Sequence, residues 1–178
     1  IRKEINDIPI LCLGIIPVNY IDICIKNNIT ITVNDISYLK DIIKKDINNL
    51  KIHIKLNTGM NRLGTNNKDE FNKMYEIIKN SNLSLEGIYT HIYEATNKMN
   101  VDNQIERFKD ITNNIDLSKI DMVHIAQSDT LVNYPKIDFC NGCRLGIIMY
   151  GLTNNSLNLK NTIELVSEIV EIKKLKKG

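Results

Sequence analysis

Short apolar runs alternate along this chain with longer segments in which apolar residues recur every three or four positions. The runs are Ile10–Leu13, Thr30–Val33, Lys51–Leu56, Gly87–His91, Met122–Ala126 and Arg144–Tyr150. Each is short and bounded by polar or turn-forming residues, which predicts a β-strand. The segments between them carry helical period. Pro17 opens one with Val18, Ile21 and Ile25 on a face, Pro being well placed in a first turn. Ile36, Leu39, Ile43 and Ile47 form the next stripe, after Asn34 and Asp35 as cap candidates. Phe71, Met74, Ile77 and Ile78 form the third, and Ile105, Phe108, Ile111 and Ile115 the fourth. Such stripes are most simply the buried faces of surface helices.

Alternating β and α units predict a parallel sheet with right-handed crossovers. Six strands in about 150 residues suit either an open doubly wound sheet or part of a (β/α)8 barrel. In both, polar chemistry collects at the C-terminal ends of the strands. Asn57-Thr58-Gly59, Thr90-His91, Gln127-Ser128, and Arg144 with Gly146 stand there. After Gly151 the pattern changes: Asn154, Asn155, Asn158 and Asn161 mark a loop, and Glu164–Leu175 reads as a strand of a new β unit.

Composition adds bounds. The 178 residues are 43% hydrophobic and 25% charged, which suits one domain with room for part of a second. A net charge of +2 gives no field that argues for nucleic acid or an anionic membrane, and Lys173, Lys174, Lys176 and Lys177 read as a solvated end. The longest apolar runs are four or five residues, too short for a membrane span, and no signal-peptide core follows Ile1-Arg2-Lys3-Glu4. The chain opens on Ile rather than Met, which reads as a processed chain or a piece of a longer one. Ile occurs 32 times, Asn 25 times and Ala twice, a bias that reads as codon usage rather than function.

Of the four cysteines only Cys140 and Cys143 form C-x-x-C, and the histidines His53, His91 and His124 are scattered. A zinc site needs a second such pair, so no metal is expected, and two reduced thiols beside the Asn141-Gly142 turn, in a reducing cytosol, is the plainer reading.

Three stretches can carry chemistry. In Lys51–Gly64 an alternating strand breaks at Gly59 into a turn ending at Gly64, with Lys55 near the strand end and Arg62 in the turn. Two cations converging on one pocket call for an anion: a phosphate, a carboxylate or a modified lysine. A solvent-facing turn with ordinary surface charges is the alternative. In the second and third stretches, Ser128 ends the run His124–Ser128, and Arg144 and Gly146 lie in Gly142–Gly151. Ser128 can donate to a phosphate, and the N–H groups of Gly146 and Ile147 can bind the same one; a local cap and a buried ion pair are the structural alternatives for Ser128 and Arg144.

Together these stretches resemble the alanine racemase family of fold-type III pyridoxal-phosphate enzymes. The family turn K-x-D-T-G-M-x-R-L-G stands here as KLNTGMNRLG over Lys55–Gly64, and E-G-I-x-T-H as EGIYTH over Glu86–His91. H-x-A-N-S followed by an aromatic-Pro pair appears as HIAQS at His124–Ser128 with Tyr134-Pro135. V-R-x-G-I-x-x-Y-G appears as CRLGIIMYG over Cys143–Gly151, and the P-I-L-x-L-G strand lies at Pro9–Gly14. Three positions depart from the pattern: Asn57 for Asp, Asn61 for a frequent Gly, and Gln127 for Asn.

The resemblance implies an α/β fold, strands three to eight of a TIM-type (β/α)8 barrel over residues 1–152, then a linker and the first strand of a C-terminal β domain over 153–178. It implies pyridoxal 5'-phosphate as cofactor, alanine or another small amino acid as substrate, a cytoplasmic homodimer, and D-alanine for cell-wall peptides as product. A serine or broad-specificity racemase, or a non-enzymatic cofactor-binding barrel, are the alternatives. By the same resemblance Lys55 matches a lysine often carbamylated to hold Arg62, and Arg62 the arginine at the cofactor's phenolic oxygen and the substrate carboxylate. His91 matches a histidine supporting Arg144, Arg144 the arginine facing the pyridine nitrogen, and Ser128, Gly146 and Ile147 the phosphate site. No segment matches the family's first two barrel strands, one of which bears the lysine that holds the cofactor covalently, and the catalytic tyrosine of the β domain is expected beyond Gly178.

Overall fold

The computed structural model describes residues 1–152 and 157–176. They fall into two compact units, 1–144 and 145–178. The first holds a six-stranded sheet: β1 (Ile10–Cys12), β2 (Ile29–Val33), β3 (Lys51–Lys55), β4 (Ser84–Tyr89), β5 (Met122–Gln127) and β6 (Gly142–Arg144). Every neighbouring pair is parallel and the spatial order equals the chain order. That order decides between the two sheets left open by the sequence. A doubly wound sheet reverses its strand order at a switch point, whereas a barrel adds each strand beside the last.

The helices are α1 (Ile21–Lys26), preceded by a 3₁₀ turn at Val18–Tyr20, α2 (Ile36–Ile43), α3 (Lys68–Lys79), α4 (Lys98–Thr112) and α5 (Ser128–Asn133). Short polar side chains start three of them. Asp35 accepts from the N–H of Tyr38 at 2.8 Å, Asn67 from Glu70 at 2.9 Å and Asn97 from Asn100 at 3.2 Å. Each occupies a helix-start N–H that has no partner within the helix.

The strands alternate, with one irregularity each in the β3–β4 and β5–β6 pairings, and each face has its own use. Ile31 and Val33, Ile52 and Ile54, Ile88, and Val123 and Ile125 join one core cluster with Leu39, Phe71, Met74, Val101 and Phe108 of the helices. Each such buried side chain contributes roughly 1.5–3 kcal/mol. The other face carries Thr30, Thr32, His53, Lys55, Tyr89 and His124, also buried. A fold that buries this many polar groups must give them partners, and they lie in a band across β2 to β5.

Two segments differ from their sequence reading. The run expected to be a strand over Arg144–Tyr150 divides: β6 ends at Arg144, and in the second unit Ile147–Tyr150 is a 3₁₀ turn. Gly151 closes that turn at φ +78°, where only glycine sits without strain. Period alone does not separate a four-residue apolar strand from a helical turn. Glu164–Leu175 forms no strand, because a strand exists only within a ladder and these residues have none among the described residues; Leu165, Val166, Ile169, Val170 and Ile172 are exposed. Among the described residues no helix is long and apolar enough to cross a membrane, and no group of three or more His, Cys, Asp and Glu is placed to hold a metal.

Candidate active site

The polar band is organised around Arg144, at the C-terminal end of β6. Its Nη1 donates to Nδ1 of His124 at 2.5 Å and to the His124 carbonyl at 2.8 Å. Its Nη2 donates to the carbonyls of Thr90 at 2.6 Å and Ile125 at 3.3 Å. The Nε–H has no acceptor among the described residues. The guanidinium lies 5.0 Å from the centre of the Tyr89 ring, which stacks on His124 at 4.6 Å. Burial draws Arg144 down to about 10, still far above neutrality, so it stays charged.

His124 in turn reaches His53 across the sheet, Nε2 to Nδ1 at 2.8 Å. Burial first, then the charge of Arg144, pushes His124 down to about 2. Burial and, to a lesser degree, Arg144 push His53 to about 4 despite Glu86 nearby. Both rings are neutral near pH 7. The resemblance gives the support of Arg144 to His91; the structure gives that hydrogen bond to His124. His91 is half-buried, and burial first, then the charges of Arg144, Arg62 and Lys55, push it to about 4.

Lys55 is 4% exposed, and its ammonium sits 5.4 Å over the Tyr89 ring. Burial, Arg62 and Arg144 lower it to about 8. Arg62 is exposed in the turn beyond β3. Among the described residues none of Lys55, Arg62 and Arg144 pairs with a carboxylate, whereas Lys51, Lys68 and Lys98 each do. Arg62 and Arg144 lie close enough to Lys55 to act on its charge, and no carboxylate among the described residues neutralises the three.

The turn that carries Arg62 is built from two of the departures from the family pattern. Asn57 Oδ1 accepts from the N–H groups of Gly59 at 3.3 Å and Asn61 at 2.9 Å, as an Asp could. Its Nδ2 then donates to Asn61 Oδ1 at 3.2 Å, a bond no carboxylate can donate. Asn61 has φ +53°, where glycine is at ease and Asn is the best-tolerated alternative. The two replacements therefore support one another. Gly64 ends the turn at φ +107°, and a Cβ there would lie 2.7 Å from the Lys55 carbonyl. From α4, Arg107 donates to the Thr58 carbonyl at 3.2 Å, and the Thr58 hydroxyl meets that of Thr90 at 2.8 Å.

Ser128 is buried as the first residue of α5. It is not the cap of that helix: Gln127 is, its Oε1 accepting from the Asp129 N–H at 2.7 Å. The third departure thus stands at the start of the helix. In the second unit Gly146 precedes the 3₁₀ turn, and Ile147 is its first residue, whose N–H lies outside the turn's own hydrogen bonds. Cys140 is pushed up to about 11 by burial and is a poor thiolate, while Cys143 is exposed.

Sequence reasoning missed the parts of the site that act on other side chains. His124, Tyr89 and Thr90 stand within the quoted motifs, but only the pairing of β4, β5 and β6 shows that they hold Arg144. His53 gave a signal in its place two residues before Lys55, on the same face of β3.

The comparisons agree with this architecture. Residues 1–154 match the family described as alanine racemase, N-terminal domain. An alanine racemase of Streptococcus equi subsp. equi is 33% identical across the whole chain, which covers 51% of that relative. The alanine racemase of Clostridium difficile in complex with cycloserine superimposes with a TM-score of 0.80 at 28% identity, over 90% of this chain and 48% of that one. The Bacillus anthracis alanine racemase with bound L-Ala-P gives 0.78 at 26% identity, over 90% and 45%. The chain thus spans about half the length of the curated relatives it matches. Its six parallel strands form a half-barrel matching part of the alanine racemase barrel domain, and the chain belongs to the alanine racemase N-terminal domain family.

Proposed function

We propose that the full-length protein is a pyridoxal-phosphate-dependent racemase that interconverts L- and D-alanine, acting as a cytoplasmic homodimer and supplying D-alanine for cell-wall peptides. The observation that carries this reading is the set Lys55, Arg62 and Arg144, close enough to act on one another and without a paired carboxylate among the described residues, in a chain of this family. The residues present fit the cofactor: the buried Lys55, the exposed Arg62 and an Arg144 whose Nε–H has no acceptor among the described residues suit an anionic aromatic group that brings a ring nitrogen, a phenolic oxygen and a phosphate.

When bound, the cofactor makes the Cα proton of an amino acid labile. Arg144 is assigned to the ring nitrogen. It is too basic to give up its proton, so it donates a hydrogen bond there without transferring one. Arg62 orients the substrate carboxylate and the phenolic oxygen. Ser128 is assigned to the phosphate, and the family pattern assigns Gly146 and Ile147 to it as well. Lys55, drawn down to about 8, keeps roughly a tenth of its amine neutral at pH 7. That amine can attack carbon dioxide and lose a proton, and the resulting carbamate would hold Arg62 as an anion. The two groups that move protons to and from Cα are assigned to the half of the relatives' length that this chain does not span, and Glu164–Leu175 to the start of a β domain. The test is the full-length protein with cofactor and L-alanine, with D-alanine measured by chiral chromatography.

A further inference from the structure

The Arg144–His124–His53 chain has only one consistent placement of its protons. A guanidinium carries N–H donors and no acceptor. At 2.5 Å from Nη1, Nδ1 of His124 must therefore be the lone-pair nitrogen. A neutral imidazole has one proton, so it sits on Nε2 of His124. That Nε2–H points at Nδ1 of His53, 2.8 Å away, which must accept it. The alternative, with His53 donating, would put the His124 proton on Nδ1 against the Arg144 donor, and a doubly protonated His124 would add a second charge beside the first.

The backbone is arranged around the His53 ring. His53 pairs with Gly87 in the β3–β4 register, and a Cβ on Gly87 would lie 2.4 Å from Cε1, 2.5 Å from Nδ1 and 2.7 Å from Nε2 of that ring. Only glycine leaves the imidazole its place. The groups facing it are Tyr89, edge-on at 6.3 Å, His124, and the carboxylate of Glu86, which is held by Lys51 and Thr30.

We propose that His53 is a positioning residue for Arg144: by accepting the Nε2–H of His124 it holds His124 in the tautomer whose Nδ1 receives the guanidinium, and so fixes the orientation of the Arg144 Nε–H. Without that acceptor the buried Nε2–H of His124 is stranded; turning the ring towards another partner or moving the proton to Nδ1 would each relieve it, and either one takes from Arg144 its closest partner. The inference rests on the racemase reading for its activity readout alone; the tautomer is measured independently of activity.

The experiment uses full-length protein with cofactor, labelled with ¹⁵N-histidine, as wild type and as His53→Phe, His53→Gln and Gly87→Ala. Imidazole ¹⁵N–¹H spectra should show the wild-type His124 proton on Nε2. His53→Phe should take the Nε2–H resonance out of its hydrogen-bonded position, or shift the proton towards Nδ1, and lower kcat roughly tenfold, the range for stranding one buried donor. Gln can accept through Oε1, so His53→Gln should restore the tautomer and most of kcat. Gly87→Ala, which displaces the ring without removing it, should follow His53→Phe and decides the matter if the Phe variant does not fold. A wild-type His124 protonated on Nδ1 overturns the proposal. So does a folded His53→Phe or Gly87→Ala enzyme with wild-type tautomer and kcat, since a merely structural role would lower stability alone. A wild type that racemises nothing would contradict the racemase reading while leaving the tautomer result to decide this one.

Discussion

Replacing Lys55 with Met should stabilise the cofactor-free protein, and the gain should vanish at high pH. Lys55 is 4% exposed, beside Arg62 and Arg144, and its ammonium is drawn from 10.5 to about 8. At about 1.4 kcal/mol per pH unit, that displacement costs the folded state roughly 3 kcal/mol wherever Lys55 is charged in both states. The contact with the Tyr89 ring offsets about 0.5–2 kcal/mol. Met keeps the stem's packing and lacks the charge, so a net gain of about 1–3 kcal/mol is expected at pH 7. Between pH 8 and 10.5 the unfolded chain binds the Lys55 proton and the folded chain does not, so wild-type stability rises with pH across that window. The variant, without this group, should lose its advantage over the same window. Urea unfolding of both apoproteins at pH 7, 8, 9 and 10.5, in buffer free of carbon dioxide, measures the difference. Equal stability at pH 7, or a difference that does not shrink by pH 10.5, would refute the reasoning.

Other perturbations separate the roles of the site. Ser128→Ala should weaken cofactor binding by about 1–3 kcal/mol in a titration of the full-length apoprotein, the range for losing a hydrogen bond to a charged group; unchanged affinity removes Ser128 from the phosphate site. Arg144→Glu should slow racemisation and alter the visible spectrum of the cofactor during turnover, whereas a folded variant with unchanged rate and spectrum excludes the ring-nitrogen role. Gly64→Ala forces a side chain into φ +107° and against the Lys55 carbonyl, and should lower stability by more than about 1 kcal/mol in thermal unfolding. The 178-residue chain by itself should not form D-alanine from L-alanine, since the groups assigned to proton transfer lie outside it; turnover at enzymatic rates would show that one of them has been misplaced.

The strands that define the sheet were legible because each alternates against two different environments. Ile52 and Ile54 face the helices while His53 and Lys55 face the polar band, and a period of two records that directly. The helices α2, α3 and α4 were legible from their apolar stripes, and α2 also from Asp35 at its start. The six-residue α5 was not: Ser128–Asn133 has too few apolar positions to show a period, and its start depends on Gln127 turning back onto the Asp129 N–H. The Ile147–Tyr150 turn was misread because four apolar residues fit either element. Within the site, Lys55 and Arg62 were visible as charges at a strand end. The bond between His124 and Arg144 was not, because it spans 20 residues and exists only through the pairing of β5 with β6.

The central claim is tested most directly by expressing the full-length protein, supplying pyridoxal 5'-phosphate, and following D-alanine formation from L-alanine and L-alanine formation from D-alanine by chiral chromatography. The account predicts turnover in both directions that requires the cofactor and falls sharply in Arg144→Glu. Cofactor-loaded, folded protein that interconverts neither enantiomer of alanine would contradict it.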